Sequence, residues 1–383
     1  MSRALAAARC QTDSLFGLVR PDSLYERPIP ERHRILFYIG HVEAFDWNLV
    51  GRYALDLPAF HAEFDKLFSF GIDPGPGNLP ADTPADWPSL AEVREYNARV
   101  RETLDRTLSN VPEQLLHVAL EHRLMHAETF AYMLHNLEPE RKCAPLLAPA
   151  ESAASPRPEM VEIPAGDAAL GRQPGDGFGW DNEYAAHTVA VGAFRAARYK
   201  VTNGEYLAFV EAGGEVPHFW VRRGGRWFYR GMFREVPLPL DWPVYATHEQ
   251  ATAFARWAGK RLPTEAEYHR AAEGAVPDAA RDNFDFHSWD PVPVTSGCPS
   301  PRGLFQVAGN GWEWTSSVFA PFAGFAAFPF YPGYSADFFD GAHYVLKGAS
   351  PRTAACMVRP SFRNWFRGSY PYMYAAFRLV ESR

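Results

Sequence analysis

The chain has 383 residues, of which 47% are hydrophobic and 22% charged, with a formal net charge of −7. That length accommodates two domains with separate cores, and the acidic balance without a basic block argues against a nucleic-acid partner. No apolar run approaches the length of a membrane span. Residues 1–11 lack the apolar centre of a signal peptide. Four cysteines (Cys10, Cys143, Cys298 and Cys356) are too few and too scattered for a disulfide framework or a zinc ribbon, so a reducing cytoplasm is the expected compartment. Aromatic residues at 15%, together with 33 prolines, point to a loop-rich fold pinned by ring packing.

In chain order, apolar periodicity predicts helices over residues 2–19, 31–55, 57–69, 89–108 and 112–137. The start at Ser89 is marked by a capping box, Ser89-Leu-Ala-Glu92, directly after Pro88. The long helices among these predict an antiparallel bundle, in which a metal site is built from inward-facing side chains. Residues 143–158 are rich in Ala, Pro and Ser and read as a linker. Beyond them, strand-like pieces at 190–194 and 344–346 and helices at 248–258 and 264–273 stand in a Gly-, Pro- and aromatic-rich background. The expected organisation is a helical domain over 1–142, the linker 143–158 and a second domain over 159–383, an α+β chain.

The chemistry concentrates in His122-Arg-Leu-Met-His126-Ala-Glu128. Histidines four apart on a helix sit one turn above each other, where both imidazoles can meet one metal ion. The pair alone fits two ordinary surface histidines equally well. His41, in another apolar helical run, is a candidate third ligand. His117 and His135 read as surface or core histidines.

The C-terminal half carries Met160-Val-Glu-Ile-Pro-Ala-Gly166, Trp180-Asp-Asn-Glu183, Tyr199-Lys-Val-Thr-Asn203, Arg261-Leu-Pro-Thr-Glu-Ala-Glu267, Gly309-Asn-Gly-Trp-Glu-Trp-Thr315 and Leu346-Lys-Gly-Ala-Ser350. In this order they resemble the markers of the formylglycine-generating-enzyme, or sulfatase-modifying-factor, fold, which is lectin-like. Glu265, Glu267, Asn310 and Glu313 are expected to satisfy buried backbone and turns. The N-terminal half resembles the DinB-like four-helix bundle, and the fusion of the two resembles the ergothioneine-type sulfoxide synthases. That resemblance implies non-heme iron(II) on His41, His122 and His126, with Glu128 supporting the ligands from behind.

Formylglycine-generating enzymes use two cysteines near the C-terminus; only Cys356 lies in the corresponding stretch, and it reads as buried filler. An oxidase of that type is therefore disfavoured. The resemblance implies hercynine, the betaine of histidine, as acceptor, with Asn364 for its carboxylate and Trp365 for its trimethylammonium group. Phe366 replaces the family's aspartate and Met125 its glutamine, both in the acceptor pocket. Tyr331, by spacing before Tyr334-Ser335, is the candidate proton donor. The loop 71–86 lacks the arginines that clamp γ-glutamylcysteine and carries Asp73, Asp82 and Asp86, whose charge would repel a dicarboxylate. The loop is more similar to that of the selenoneine synthases, which join a selenosugar to hercynine with O2. The alternatives are a thiol-using sulfoxide synthase and a non-catalytic binding module.

Overall fold

The computed structural model describes residues 1–69, 79–145 and 152–382. It divides into two compact units, Met1–Leu147 and Ala148–Arg383, so helix and sheet are segregated into an α+β architecture. Among the described residues, no helix is long and apolar enough to cross a membrane.

The first unit is built from α1 (Ser2–Phe16), α2 (Ile35–Asp46), a short α3 (Ala62–Leu67), α4 (Leu90–Asp105) and α5 (Glu113–His135). Three of the predicted helices are shorter than their patterns. α1 stops at Phe16, and Val19 instead bridges Lys142 in an antiparallel pair. α2 begins at Ile35, because Arg34 is extended and commits its guanidinium to Tyr25 and Asp82. Its continuation, Trp47–Ala54, is a π-helix, a widened turn that occurs mostly near functional sites. The segment predicted over 57–69 is helical only at Ala62–Leu67, since Pro58 cannot sustain a helix interior and the His61 side chain caps Phe64 N. The Ser89–Glu92 capping box forms as read. α5 is buried on most of its positions, as a central bundle helix must be.

The second unit opens with β1 (Met160–Ile163), β2 (Gly166–Leu170), β3 (His187–Val191) and β4 (Phe194–Ala197), followed by α6 (Asn203–Glu211). The piece predicted as one strand over 190–194 is the junction of β3 and β4. A three-stranded antiparallel sheet follows, made of β5 (Trp220–Arg223), β6 (Arg226–Arg230) and β7 (Glu235–Pro237). Then come α7 (His248–Trp257), α8 (Glu265–Ala271), the one-turn α9 (Ala279–Asp282), β8 (Trp312–Val318), β9 (His343–Lys347), β10 (Asn364–Arg367), β11 (Ala375–Ala376) and β12 (Val380–Ser382). β9 pairs with β10 and β8, and β11 joins β8 in parallel; β4 lies between β1 and β12, bringing the chain end back beside the start of the unit. Trp180, Trp312 and Trp314 are fully buried, so rings rather than long layers hold this unit together.

The markers expected to satisfy backbone and turns divide into two pairs. Glu267 does cap Thr264, and Asn310, at φ 56°, does bridge Val292 N and O. Glu265, however, faces the Arg363 guanidinium, and Glu313 joins Lys200 and Arg378. These two are charge pairs in the core rather than backbone acceptors. Cys356 is exposed, which corrects its reading as buried filler.

Candidate metal centre

His122 and His126 occupy successive turns of α5, and His41 lies in the middle of α2. The packing of these two helices brings one ring nitrogen of each residue within 4.8 Å of the others. His41 Nε2 and His126 Nε2 lie 3.1 Å apart. Two nitrogens bound at right angles to one ion, each at about 2.1 Å, would lie about 3 Å apart, so the spacing suits a shared cation.

Local bonds fix how the rings present themselves. His41 Nδ1–H donates to Phe68 O at 2.7 Å, which leaves the Nε2 lone pair facing the cluster. Phe45 stacks on His122 with ring centroids 3.3 Å apart, and Phe37 stacks on His41 at 4.9 Å. His126 Nδ1 is buried and has no hydrogen-bond partner among the described residues. Burial depresses all three imidazoles: His41 to about 4, and His122 and His126 well below their ordinary value, with the neighbouring rings adding to the effect. Three neutral, convergent imidazoles, those of His41 and His122 buried and that of His126 half-buried, are the donor set that a divalent first-row metal takes, and the residues present therefore fit such an ion.

Beside the histidines lies an ionic cluster that the sequence did not announce. Arg123, wholly buried next to His122, donates to both carboxylate oxygens of Glu43 at 3.0 and 2.9 Å and to Asp46 Oδ2 at 2.6 Å. Its Nη2 also meets Val42 O at 3.0 Å. Arg101 on α4 bonds Glu43 on one side and both Asp13 oxygens on the other. Burial works to raise the Glu43 pKa, but the two guanidiniums outweigh it and hold the group below its ordinary value. Asp46 is pushed up by burial. Two acids in the apolar run 35–55 and an arginine inside the histidine motif were the only sequence signals.

Glu128 and Met125 are half-buried on α5, and Glu128 is not a member of the ligand cluster found among the described residues. His117 is half-buried beside Glu113, whereas His135 is buried. Of the loop 71–86, residues 71–78, including Asp73, lie outside the described residues. The described part changes the reading of the acidic loop at Asp82 alone. Asp82 is engaged by Arg27 and Arg34 and accepts from Trp87 Nε1 at 2.7 Å; burial opposes these bonds, yet they hold its pKa down. Asp86 caps Thr83.

Of the residues expected to meet an acceptor, Asn364, Trp365 and Phe366 belong to the second unit and Met125 to α5 of the first. Trp365 is half-buried on β10, with Phe319 stacked on one face at 4.3 Å and Tyr334 edge-on at 5.2 Å. Asn364 Oδ1 accepts from Trp365 N at 2.9 Å, leaving Nδ2 as the polar group this side chain has to offer a ligand. Phe366 stacks on Tyr370. Tyr331 packs 6.4 Å from Trp180, and its phenol is pushed up to about 12, by burial first and then by the Asp181 carboxylate.

A helical unit with three convergent imidazoles, followed by a ring-pinned, sheet-containing unit, defines a two-domain protein with a candidate single-metal site. Residues 4–136 match the DinB superfamily, and residues 147–383 match the sulfatase-modifying factor enzyme 1-like domain. The chain is 35% identical to a hercynine oxygenase of Mycolicibacterium thermoresistibile over 76% of this chain and 75% of that protein. It is 28% identical to ergothioneine biosynthesis protein 1 of Neurospora crassa over 94% of this chain, and 29% identical to the protein of that name in Schizosaccharomyces pombe over 95%. It spans about half the length of these two, 55% and 54%. The chain belongs to the family that joins a DinB-type bundle to a sulfatase-modifying-factor domain and that includes these proteins.

Proposed function

We propose that this protein is an O2-dependent, non-heme iron(II) enzyme that forms a carbon–chalcogen bond at the imidazole of hercynine. The observation that carries this reading is the convergence of His41, His122 and His126, all neutral. A module that only binds would have no use for it.

His41, His122 and His126 would hold the iron, and Glu128 would support that side of α5. When bound, the iron supplies the oxidation by O2 that couples donor to acceptor. The residues of the chain order the partners. The His41–Phe68 bond fixes one ligand ring, and Phe37 and Phe45 shield the centre from water. Trp365 would offer its ring to the trimethylammonium group and Asn364 Nδ2 would serve the carboxylate, with Phe366 as their neighbour on β10; Met125 is the acceptor residue proposed on α5. Tyr331, protonated at neutral pH, holds a proton at its Oη that it can give.

For the donor, a neutral, hydroxyl-rich selenosugar is the favoured substrate. Arg27 and Arg34, the cations that reach the segment 79–86, are committed to Asp82. A thiol donor such as γ-glutamylcysteine is the second reading.

The test has two parts. Metal analysis after anaerobic purification should find iron near one equivalent in the native chain and none in His122→Ala/His126→Ala. Hercynine and O2 are then supplied with a selenosugar or with γ-glutamylcysteine. Faster turnover of the selenosugar supports the first donor, and preference for the thiol replaces it with the second.

A further inference from the structure

We propose that Arg123 is a positioning residue for the metal centre, setting the distance between the ligand on α2 and the ligands on α5. The inference rests on the reading of the three histidines as a metal site. Arg123 follows His122 directly, and one of its acceptors, Val42 O, belongs to the residue after His41. Its planar fork holds both oxygens of Glu43, and the same guanidinium reaches Asp46 and Val42, so one side chain fastens α2 to α5 at three residues within about one turn. Arg123 and Glu43 are fully enclosed and Asp46 nearly so, which removes the solvent that would otherwise soften such a tie.

The other bonds between these elements cannot do the same work. Arg101 grips Glu43 from α4 and Asp13 from α1, and so braces the carboxylate without linking α2 to α5. The positive charge of Arg123 by itself opposes a second cation bound beside it. A benefit to metal binding must therefore come from the geometry of the fork. Lysine keeps the charge but has no fork, and this separates the two effects.

The test is a titration of the metal-stripped full chain with cobalt(II), read by its visible ligand-field bands, with helix content followed by circular dichroism. Arg123→Lys should retain the native helix content, bind cobalt about tenfold more weakly and show altered band intensities, the size of loss typical when groups behind metal ligands are removed. Arg101→Met should lower thermal stability and leave cobalt affinity unchanged. Native affinity in Arg123→Lys would overturn the proposal, as would an equal loss in Arg101→Met, which would indicate general loosening. Tighter binding in Arg123→Met beside native binding in Arg123→Lys would assign the effect to charge and also overturn it. Should Arg123→Lys fail to fold, Asp46→Asn is read in the same way: weaker cobalt binding supports the tie, and unchanged binding refutes it. A native chain that takes up no cobalt would instead remove the metal-site reading on which the proposal stands.

Discussion

His41 and Phe68 are joined by a 2.7 Å bond from the imidazole Nδ1 to a backbone carbonyl 27 residues away. The carbonyl is held in place because the Phe68 ring, fully buried, lies against the backbone of Gly40. A Cβ at position 40 would come within 2.6 Å of that ring. Gly40→Ala should therefore push Phe68 away, cost about 1–3 kcal/mol and weaken metal uptake. Urea unfolding and a cobalt titration of the variant check both effects; native behaviour in both would show that the ring yields freely.

Acid should destabilise the metal-free protein through the same histidine. His41 in the folded chain titrates at about 4, against 6.5 when exposed. Above pH 6.5 both states leave the group neutral and it contributes nothing. Between 6.5 and 4 the unfolded chain gains a proton that the folded chain refuses, so stability falls as pH falls, by about 3 kcal/mol for this group. Unfolding midpoints of the metal-free chain at several pH values measure the slope, which His41→Leu should reduce.

In the second unit, Glu313 stands between Lys200 and Arg378, at 2.7 and 2.9 Å, and all three are buried. Burial lowers the Lys200 pKa to about 8, although Glu313 acts to raise it. Glu313→Ala strands two cations in the core and should cost about 3–5 kcal/mol. Thermal unfolding of the variant is the measurement, and a loss below 1 kcal/mol on the scale of exposed pairs would contradict it.

The acceptor residues should separate kinetically. Trp365→Leu removes the ring offered to the trimethylammonium group and should raise KM for hercynine about tenfold, with kcat little changed, as expected for a loss of roughly 1–2 kcal/mol of cation–π attraction. Tyr331→Phe should lower kcat and spare KM. Steady-state kinetics on both variants decide the matter; a kcat loss confined to Trp365→Leu would exchange the two roles.

The parts of the site legible in the sequence were local. The spacing of His122 and His126 follows from helix periodicity alone, and the Ser89–Glu92 cap from four consecutive residues. His41 was a candidate from its apolar helical run and a ligand only by the family resemblance, because its approach to His126 spans 85 residues and depends on packing. Within the 71–86 loop, the pairing of Asp82 was illegible for a related reason. Counting acids within a segment ignores partners outside it, and Asp82 is engaged by arginines 48 and 55 residues away. Arg34 also explains the late start of α2, since an extended residue reaching for Asp82 cannot be helical as well. Glu265 and Glu313 were recognised as structural, but their cationic partners lie far along the chain and no periodicity reveals them.

The buried group formed by Glu43, Asp46 and Arg123 also constrains how this lineage can change. Losing any one member leaves charge stranded in the bundle, whereas replacing all three together with apolar residues need not be harmful. No single substitution leads smoothly from one state to the other. Drift at these three positions is thus confined to a shared fate, and related chains should either keep the set whole or lack it entirely.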